Sequence, residues 1–218
     1  MKLAIFNGSP RGNNSNTKLL LGHFQKGFES FGGEITTSDL LIVEKDIRKH
    51  IQHFKTTENI LLAFPLYVDS VPGMVKNFIE HIGNFGGTGR NIFFLVHSGF
   101  PEGIHSEGVI KYLELLVKRW NMTYLGTILK PGSEGIRMHP NSRNTKLFMN
   151  FELLGSKLAI TGELDKKIIN KMKRPYRLPG FVLFIIKLLN KAGKLNSYWD
   201  TKMKENNAFE RRFDTPYL

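Results

Sequence analysis

The sequence contains no cysteine among its 218 residues. Disulfides, thiolate nucleophiles and cysteine-ligated metal clusters are therefore excluded, no metal site is predicted, and a cytoplasmic location is expected. Long hydrophobic runs are also missing, because the longest apolar stretch, residues 181–186, is far shorter than the ~20 residues of a membrane-spanning helix. The N-terminal apolar run ends at Asn7, so no signal peptide is expected.

A polar turn is the most informative feature that is present. Residues 7–17 read Asn-Gly-Ser-Pro-Arg-Gly-Asn-Asn-Ser-Asn-Thr, between a short apolar strand and a helix with one apolar face. A turn at a helix N-terminus offers unpaired N–H groups and the positive end of the helix dipole, and both favour an anion. The pattern predicts a phosphate-binding loop.

The loop lacks the features of the other common phosphate sites. It has no Gly-Lys-Ser/Thr ending, which argues against ATP or GTP. Pro10 and Arg11 stand where the dinucleotide fingerprint would need its second glycine. A cysteine phosphatase is excluded by composition. A monophosphate held by hydroxyls and amides remains, and FMN is the commonest such ligand in open α/β sheets.

Two loops together resemble a known family. Residues 8–17 resemble the first FMN loop of the NADPH-dependent FMN reductase family of flavodoxin-like proteins, and residues 65–79 resemble its second flavin loop and the following helix. Together with the strand that ends near residues 97–99, the resemblance covers roughly the first 130 residues. The related iron–sulfur flavoproteins carry a cysteine cluster that this chain lacks, which favours a two-electron flavin enzyme.

The resemblance implies roles for twelve residues in three loops. The FMN phosphate would be held by Ser9, Arg11, Ser15, Asn16 and Thr17; the isoalloxazine edge would be lined by Pro65, Leu66, Tyr67 and Val68; the third loop would contribute His97, Ser98 and Gly99. An ordinary N-cap at Ser15 and a plain surface turn around Tyr67 are the structural alternatives. No catalytic residue is assigned. Residues 134–137, after the last strand, are a candidate lid over the flavin or a contact for the pyridine nucleotide.

Strand and helix patterns alternate through the first 130 residues. They predict a flavodoxin-like, doubly wound, five-stranded parallel sheet of order 2-1-3-4-5 with a helical C-terminal extension. We expect an FMN-binding domain over 1–140 and an extension over 141–218 that packs on the same domain or on a dimer partner. The predicted strands are 2–7, 34–40, 59–64, 92–96 and 124–129; the predicted helices are 15–31, 46–54, 72–82 and 109–120.

The net charge of +12 is concentrated in the C-terminal part of the chain. Residues 131–218 hold 17 Lys and Arg against 8 Asp and Glu, whereas residues 1–130 hold 14 against 11. In the helix predicted over 180–194, a narrow polar stripe of Lys187, Asn190, Lys191 and Lys194 adjoins a wide apolar face. A dimer partner or the sheet's own helices is one expected cover for that face, and a membrane surface is the other. No nucleic-acid-binding motif is visible, so nucleic acid is not an expected partner.

These observations favour an FMN-dependent NAD(P)H oxidoreductase that passes hydride through FMN to a small-molecule acceptor. Quinones, free flavins, nitro or azo aromatics and ferric chelates are candidate acceptors, and the resemblance implies a homodimer. The alternatives are a flavodoxin-type electron carrier, against which the positive charge argues, and a binding module for a membrane surface or an anionic partner.

Overall fold

The computed structural model describes residues 1–41, 47–138, 140–193 and 197–215. The chain forms two compact units, Met1–Arg177 and Leu178–Leu218. Asp46 and Lys194, which were predicted to belong to helices, lie outside the described residues.

The first unit is a parallel sheet with helices on both faces. Its strands are β1 (Lys2–Asn7), β2 (Glu34–Leu40), β3 (Asn59–Pro65), β4 (Asn91–His97) and β5 (Thr123–Lys130). The sheet order β2-β1-β3-β4-β5 and the parallel pairing of every neighbour confirm the predicted flavodoxin-like topology. The helices are α1 (Asn16–Ser30), α2 (Ile47–Thr56), α3 (Gly73–Ile82), α4 (Glu107–Arg119), α5 (Asn141–Thr161) and α6 (Lys166–Met172).

The central strands are apolar throughout because both of their faces are covered. In β3, Ile60, Leu62 and Phe64 enter one core cluster, and Leu61 and Ala63 enter the other. Side chains alternate between faces along a strand, so a strand buried on both sides shows an unbroken apolar run. The apolar run over residues 60–64 is what allows this strand to be predicted from the sequence.

Helices α1 and α5 lie unusually close together. A Cβ atom added to Gly27 of α1 would lie 1.9 Å from the carbonyl oxygen of Glu152, and one added to Gly155 of α5 would lie 2.1 Å from that of Phe24. Only residues without a side chain permit this approach. Both α5 and α6, which were predicted as part of the extension, therefore belong to the first unit, where they share a core cluster with α1.

The second unit contains α7 (Gly180–Lys191) and α8 (Ser197–Glu205). Pro179 directly precedes α7, a position at which proline is compatible with a helix start. None of the twelve residues of α7, all of them within the described ranges, is buried. Among the helices that the structure describes, none is long and apolar enough to cross a membrane.

Candidate flavin site

Four loops meet at the carboxyl ends of four of the five strands. They follow β1, β3, β4 and β5, and together they line one cleft. Nine of the twelve predicted site residues line it: Ser9, Arg11, Asn16, Pro65, Leu66, Tyr67, His97, Ser98 and Gly99. The other two lining residues are Ser133 and Glu134, from the loop after β5. Parallel topology accounts for the meeting, because all strands of such a sheet end at one edge.

The first loop is folded by local hydrogen bonds and leads into α1. The Ser9 amide donates to Asn7 Oδ1 at 3.0 Å, and the Gly12 amide donates to the Ser9 carbonyl at 3.0 Å. Ser15 then caps α1: its hydroxyl accepts from the Lys18 amide at 3.0 Å and donates to the Gly12 carbonyl at 2.6 Å. Ser15 is therefore the N-cap that the structural alternative proposed, and its side chain does not line the cleft.

The start of α1 carries two backbone amides and one side-chain acceptor that have no hydrogen-bond partner among the described residues. The amides of Asn16 and Thr17 are the first two of the helix, where no intrahelical acceptor exists. Asn16 donates its side-chain amide to the Ser133 carbonyl at 2.8 Å, yet its buried Oδ1 atom has no partner among the described residues. An unpaired buried acceptor costs free energy unless a ligand or a water donates to it. The cleft thus combines anion-binding amides with an acceptor for a hydroxyl.

His97 connects three of the loops. Its Nε2 lies 2.7 Å from the Thr17 hydroxyl, and its Nδ1 lies 2.8 Å from the Ser133 hydroxyl. Ser133 donates its proton to the Ser98 carbonyl at 2.9 Å, so it accepts from Nδ1–H, and Thr17 must donate to Nε2. The hydroxyl of Thr17, a predicted phosphate ligand, is consequently directed at His97 rather than at the cleft.

The imidazole of His97 is neutral. Burial lowers its pKa to about 3, with smaller contributions from the positive charges of Lys130 and Arg11. Burial also lowers the pKa of the Lys130 ammonium, whose Nζ donates to the Pro131 carbonyl. A histidine with so low a pKa does not donate a proton near neutral pH, so its role here is to hold the loops together.

The charged residues of the site link the first and fourth loops. The guanidinium of Arg11 lies 3.3 Å from Glu134 Oε1, and Arg137 donates to the Ser15 carbonyl at 2.9 Å. Arg11 and Glu134 are both about half exposed, and such surface ion pairs contribute only ~0–1 kcal/mol. Arg11 can therefore leave Glu134 for an anion at little cost.

The second loop forms a strained tip. Tyr67 and Ser70 exchange backbone hydrogen bonds of 3.3 and 3.1 Å around Val68 and Asp69, which have φ values of 48° and 60°. A β-branched residue rarely adopts positive φ, and Val68 is in addition 91% exposed. Val68 is thus the one member of the predicted second-loop set that points away from the cleft, while Tyr67 is half-exposed beside it.

Ser133 is the lining residue that sequence reasoning missed. It follows Pro131-Gly132 and has no motif of its own. The usable signal was topological: in the order 2-1-3-4-5, β5 lies beside β4, so the residues after β5 reach the same edge as His97. Within the described ranges, no three histidine or acidic side chains are grouped to bind a metal ion.

Comparison with known proteins places the fold. The profile of the family described as "Flavodoxin-like fold" matches residues 1–147. An FMN-dependent NADH-azoreductase from Bacillus anthracis, solved with FMN, is similar in structure, with 15% identity, a TM-score of 0.58 and coverage of 72% of this chain and 99% of that chain. No curated protein matches the chain in sequence.

Two further solved structures are similar. An NADPH-quinone reductase from P. pentosaceus shares 17% identity with a TM-score of 0.56, over 70% of this chain and 96% of that one. An NAD(P)H:quinone oxidoreductase from Methanothermobacter marburgensis shares 15% identity with a TM-score of 0.55, over 72% of this chain and 96% of that one. At such identities the likeness shows the fold alone.

Proposed function

The chain belongs to the flavodoxin-like fold family, and from that premise we propose that it is an FMN-dependent NAD(P)H oxidoreductase acting on a small-molecule acceptor. The observation that carries the proposal is the meeting of four loops, from separate strand ends, in one polar cleft at the N-terminus of α1. The names of three similar structures, an azoreductase and two quinone reductases, support the same reaction class.

The groups at the start of α1 fit the FMN phosphate and side chain. The free amides of Asn16 and Thr17 and the guanidinium of Arg11 would hold the phosphate, since amides at a helix N-terminus and arginine both favour phosphate oxygens. The unpaired Oδ1 of Asn16 needs a donor, and a ribityl hydroxyl of FMN would supply one. The hydroxyls of Ser15 and Thr17 would act indirectly, by fixing the loop through the Gly12 carbonyl and His97.

The second and third loops would bind the flavin ring. Pro65, Leu66 and Tyr67 provide an apolar edge with an aromatic side chain, and Ser98 and Gly99 allow close backbone approach from the neighbouring strand. When bound, FMN supplies hydride transfer between NAD(P)H and the acceptor, whereas the protein binds and orients both. His97 remains neutral and takes part only by positioning Thr17 and Ser133.

The proposal also includes the electron acceptor, the oligomeric state and the cellular location of the enzyme. Quinones and azo aromatics are the acceptor classes that the names of the similar structures favour. Free flavins, nitroaromatics and ferric chelates are further candidates, because they too can be reduced by a reduced flavin. We propose that the enzyme is a cytoplasmic homodimer.

Replacement of Arg11 tests the phosphate site directly. We expect Arg11→Ala to weaken FMN binding about 10- to 100-fold, the range for a hydrogen bond to a charged group, in a titration followed by quenching of flavin fluorescence. Riboflavin, which lacks the phosphate, should bind Arg11→Ala and the wild type equally. Arg119→Ala, which removes the same charge from an arginine bonded to Asn84, is the control and should bind FMN like the wild type.

Either of two outcomes contradicts the proposal. Equal FMN affinity of Arg11→Ala and the wild type would remove the phosphate from this cleft. Wild-type protein that binds neither FMN nor riboflavin would remove the flavin from this fold altogether.

A further inference from the structure

Helix α7 presents an apolar surface that the structure leaves uncovered. Eight of its twelve residues are apolar, and none of the twelve, all described, is buried. Phe181, Phe184 and Leu188 are 68%, 64% and 60% exposed. Single exposed apolar residues are common, but a contiguous group of this kind marks a contact surface for another molecule.

The most exposed apolar residues of α7 form one stripe with lysines at its side. Phe181, Phe184, Ile185 and Leu188 follow the i, i+3, i+4, i+7 spacing of a single helical face. Lys187 and Lys191 are one turn apart and lie about a quarter turn around the helix from the centre of that stripe. At such a position a lysine lays its methylene chain along apolar surroundings and extends its ammonium group toward phosphates.

The length of α7 restricts the geometry of any bilayer contact. Twelve residues span about 18 Å, whereas a bilayer core is about 30 Å thick. The helix is thus too short to cross, in agreement with the lack of a spanning helix among the described residues. A helix with an aromatic and aliphatic face bordered by lysines fits the interface plane, its apolar face at the acyl boundary and its lysines among the head groups.

Charge decides between a lipid surface and a second copy of the chain. Residues 178–218 carry more cations than anions by sequence: Lys187, Lys191, Lys194, Lys202, Lys204, Arg211 and Arg212 against Asp200, Glu205, Glu210 and Asp214. The whole chain has a net charge of +12, so pairing two α7 stripes would bring like charges together. An anionic surface is the complementary partner.

We propose that α7 docks the protein on anionic lipid bilayers, with Phe181, Phe184 and Leu188 in the acyl boundary and Lys187 and Lys191 against lipid phosphates. The proposal is independent of the flavin chemistry, because it uses no residue of the cleft.

Vesicle sedimentation of the full chain tests the proposal. We expect the wild type to sediment with phosphatidylcholine vesicles that contain phosphatidylglycerol, and to stay in the supernatant with phosphatidylcholine alone. The double variant Phe184→Glu/Leu188→Glu should lose binding. Ile160→Glu, which changes an equally exposed (64%) residue of α5, is the matched control and should bind like the wild type.

The lysines supply a milder, quantitative variant. Lys187→Gln and Lys191→Gln should each weaken binding about fivefold, the effect of one basic residue near an anionic surface, and added salt should weaken the wild type in the same direction. The far-UV circular dichroism spectrum of each purified variant reports whether it is folded, so a misfolded variant is recognised whether or not the protein binds flavin.

Three results would overturn the proposal. The first is equal binding to both vesicle types, which would remove the role of the lysines. The second is an equal loss of binding by Ile160→Glu. The third is a wild-type dimer in analytical ultracentrifugation that Phe184→Glu/Leu188→Glu dissociates, without vesicle binding, which would assign the stripe to a second copy.

Discussion

Strand β3 and helix α7 are two strongly apolar segments of the chain, but they differ completely in burial. Every residue of β3 is buried, because parallel neighbours and helices cover it on all sides. No residue of α7, described over its whole length, is buried. Apolar composition therefore does not by itself define a core. Neighbouring elements decide whether such a segment stabilises the fold or remains available to an external partner.

The sharpest test of this comparison replaces one phenylalanine in each segment. Phe64→Ala, at a fully buried position of β3, should lower the free energy of unfolding by about 3–5 kcal/mol through lost burial and a cavity. Phe184→Ala, at an exposed position of α7, should change it by no more than about 0.5 kcal/mol. Urea denaturation followed by circular dichroism measures both. Similar losses for the two variants would mean that α7 is covered in solution.

The contact of α1 with α5 should be nearly as sensitive as β3. Gly27→Ala would place a methyl group 1.9 Å from the Glu152 carbonyl oxygen, so we expect a loss of about 3 kcal/mol as the helices separate. Gly22→Ala, on the same helix with nothing within 4 Å of the new methyl group, should instead gain about 1 kcal/mol from helix propensity. Thermal unfolding of the pair checks the sign, and a stabilised Gly27→Ala variant would disprove the close packing.

His97 should make the stability of the first unit depend on acid pH. In the unfolded chain this histidine binds a proton below about pH 6.5, whereas in the folded protein its pKa is about 3. The unfolded state then holds the extra proton between these values, so stability is complete above pH 6.5 and is lost as the pH falls, by at most about 1.4 kcal/mol per pH unit.

Comparison with His97→Gln isolates that contribution from the other titrating groups. The variant should be less stable at pH 7, since it disturbs the bonds to Thr17 and Ser133, but its stability should decline less steeply between pH 6.5 and 4. Identical slopes, measured by urea denaturation at several pH values, would show that His97 is protonated in the folded protein.

The smallest expected effect concerns the strained tip of the second loop. Val68→Gly should stabilise the protein by about 1 kcal/mol, because glycine adopts the observed φ of 48° without steric cost. Asn207→Gly, at a φ of 54°, is the control and should change little, since asparagine tolerates that conformation. Calorimetric melting temperatures of the two variants give the comparison. A destabilised Val68→Gly variant would mean that the valine side chain makes a needed contact.

Most of the fold could be predicted from the sequence, because the strands and loops of the sheet have distinctive local sequence patterns. The unbroken apolar run at residues 60–64 indicates a buried strand, and the polar loop after β1 and the turn after β3 each precede a helix with one apolar face. These patterns predict both the order of elements and the topology. The three loops identified from sequence also contain nine of the residues that line one cleft in the structure.

Contacts between distant residues had no such signal. The bond between Thr17 and His97 joins positions 80 residues apart, so nothing local distinguished a hydroxyl that holds a histidine from one that faces a ligand. Ser133 was missed for the same reason. The sequence also did not predict which surface contacts the apolar face of α7, because a helical pattern shows that a face is apolar but not what lies opposite it.

The visible spectrum of the FMN-reconstituted protein, recorded anaerobically before and after NADPH or NADH is added, is the most direct test of the proposed NAD(P)H oxidoreductase. We expect a bound flavin spectrum that bleaches on addition of either nucleotide and returns when a quinone is supplied. A bound flavin that ignores both nucleotides would contradict an NAD(P)H oxidoreductase and indicate an electron carrier, and a protein that takes up no FMN would contradict the flavin site itself.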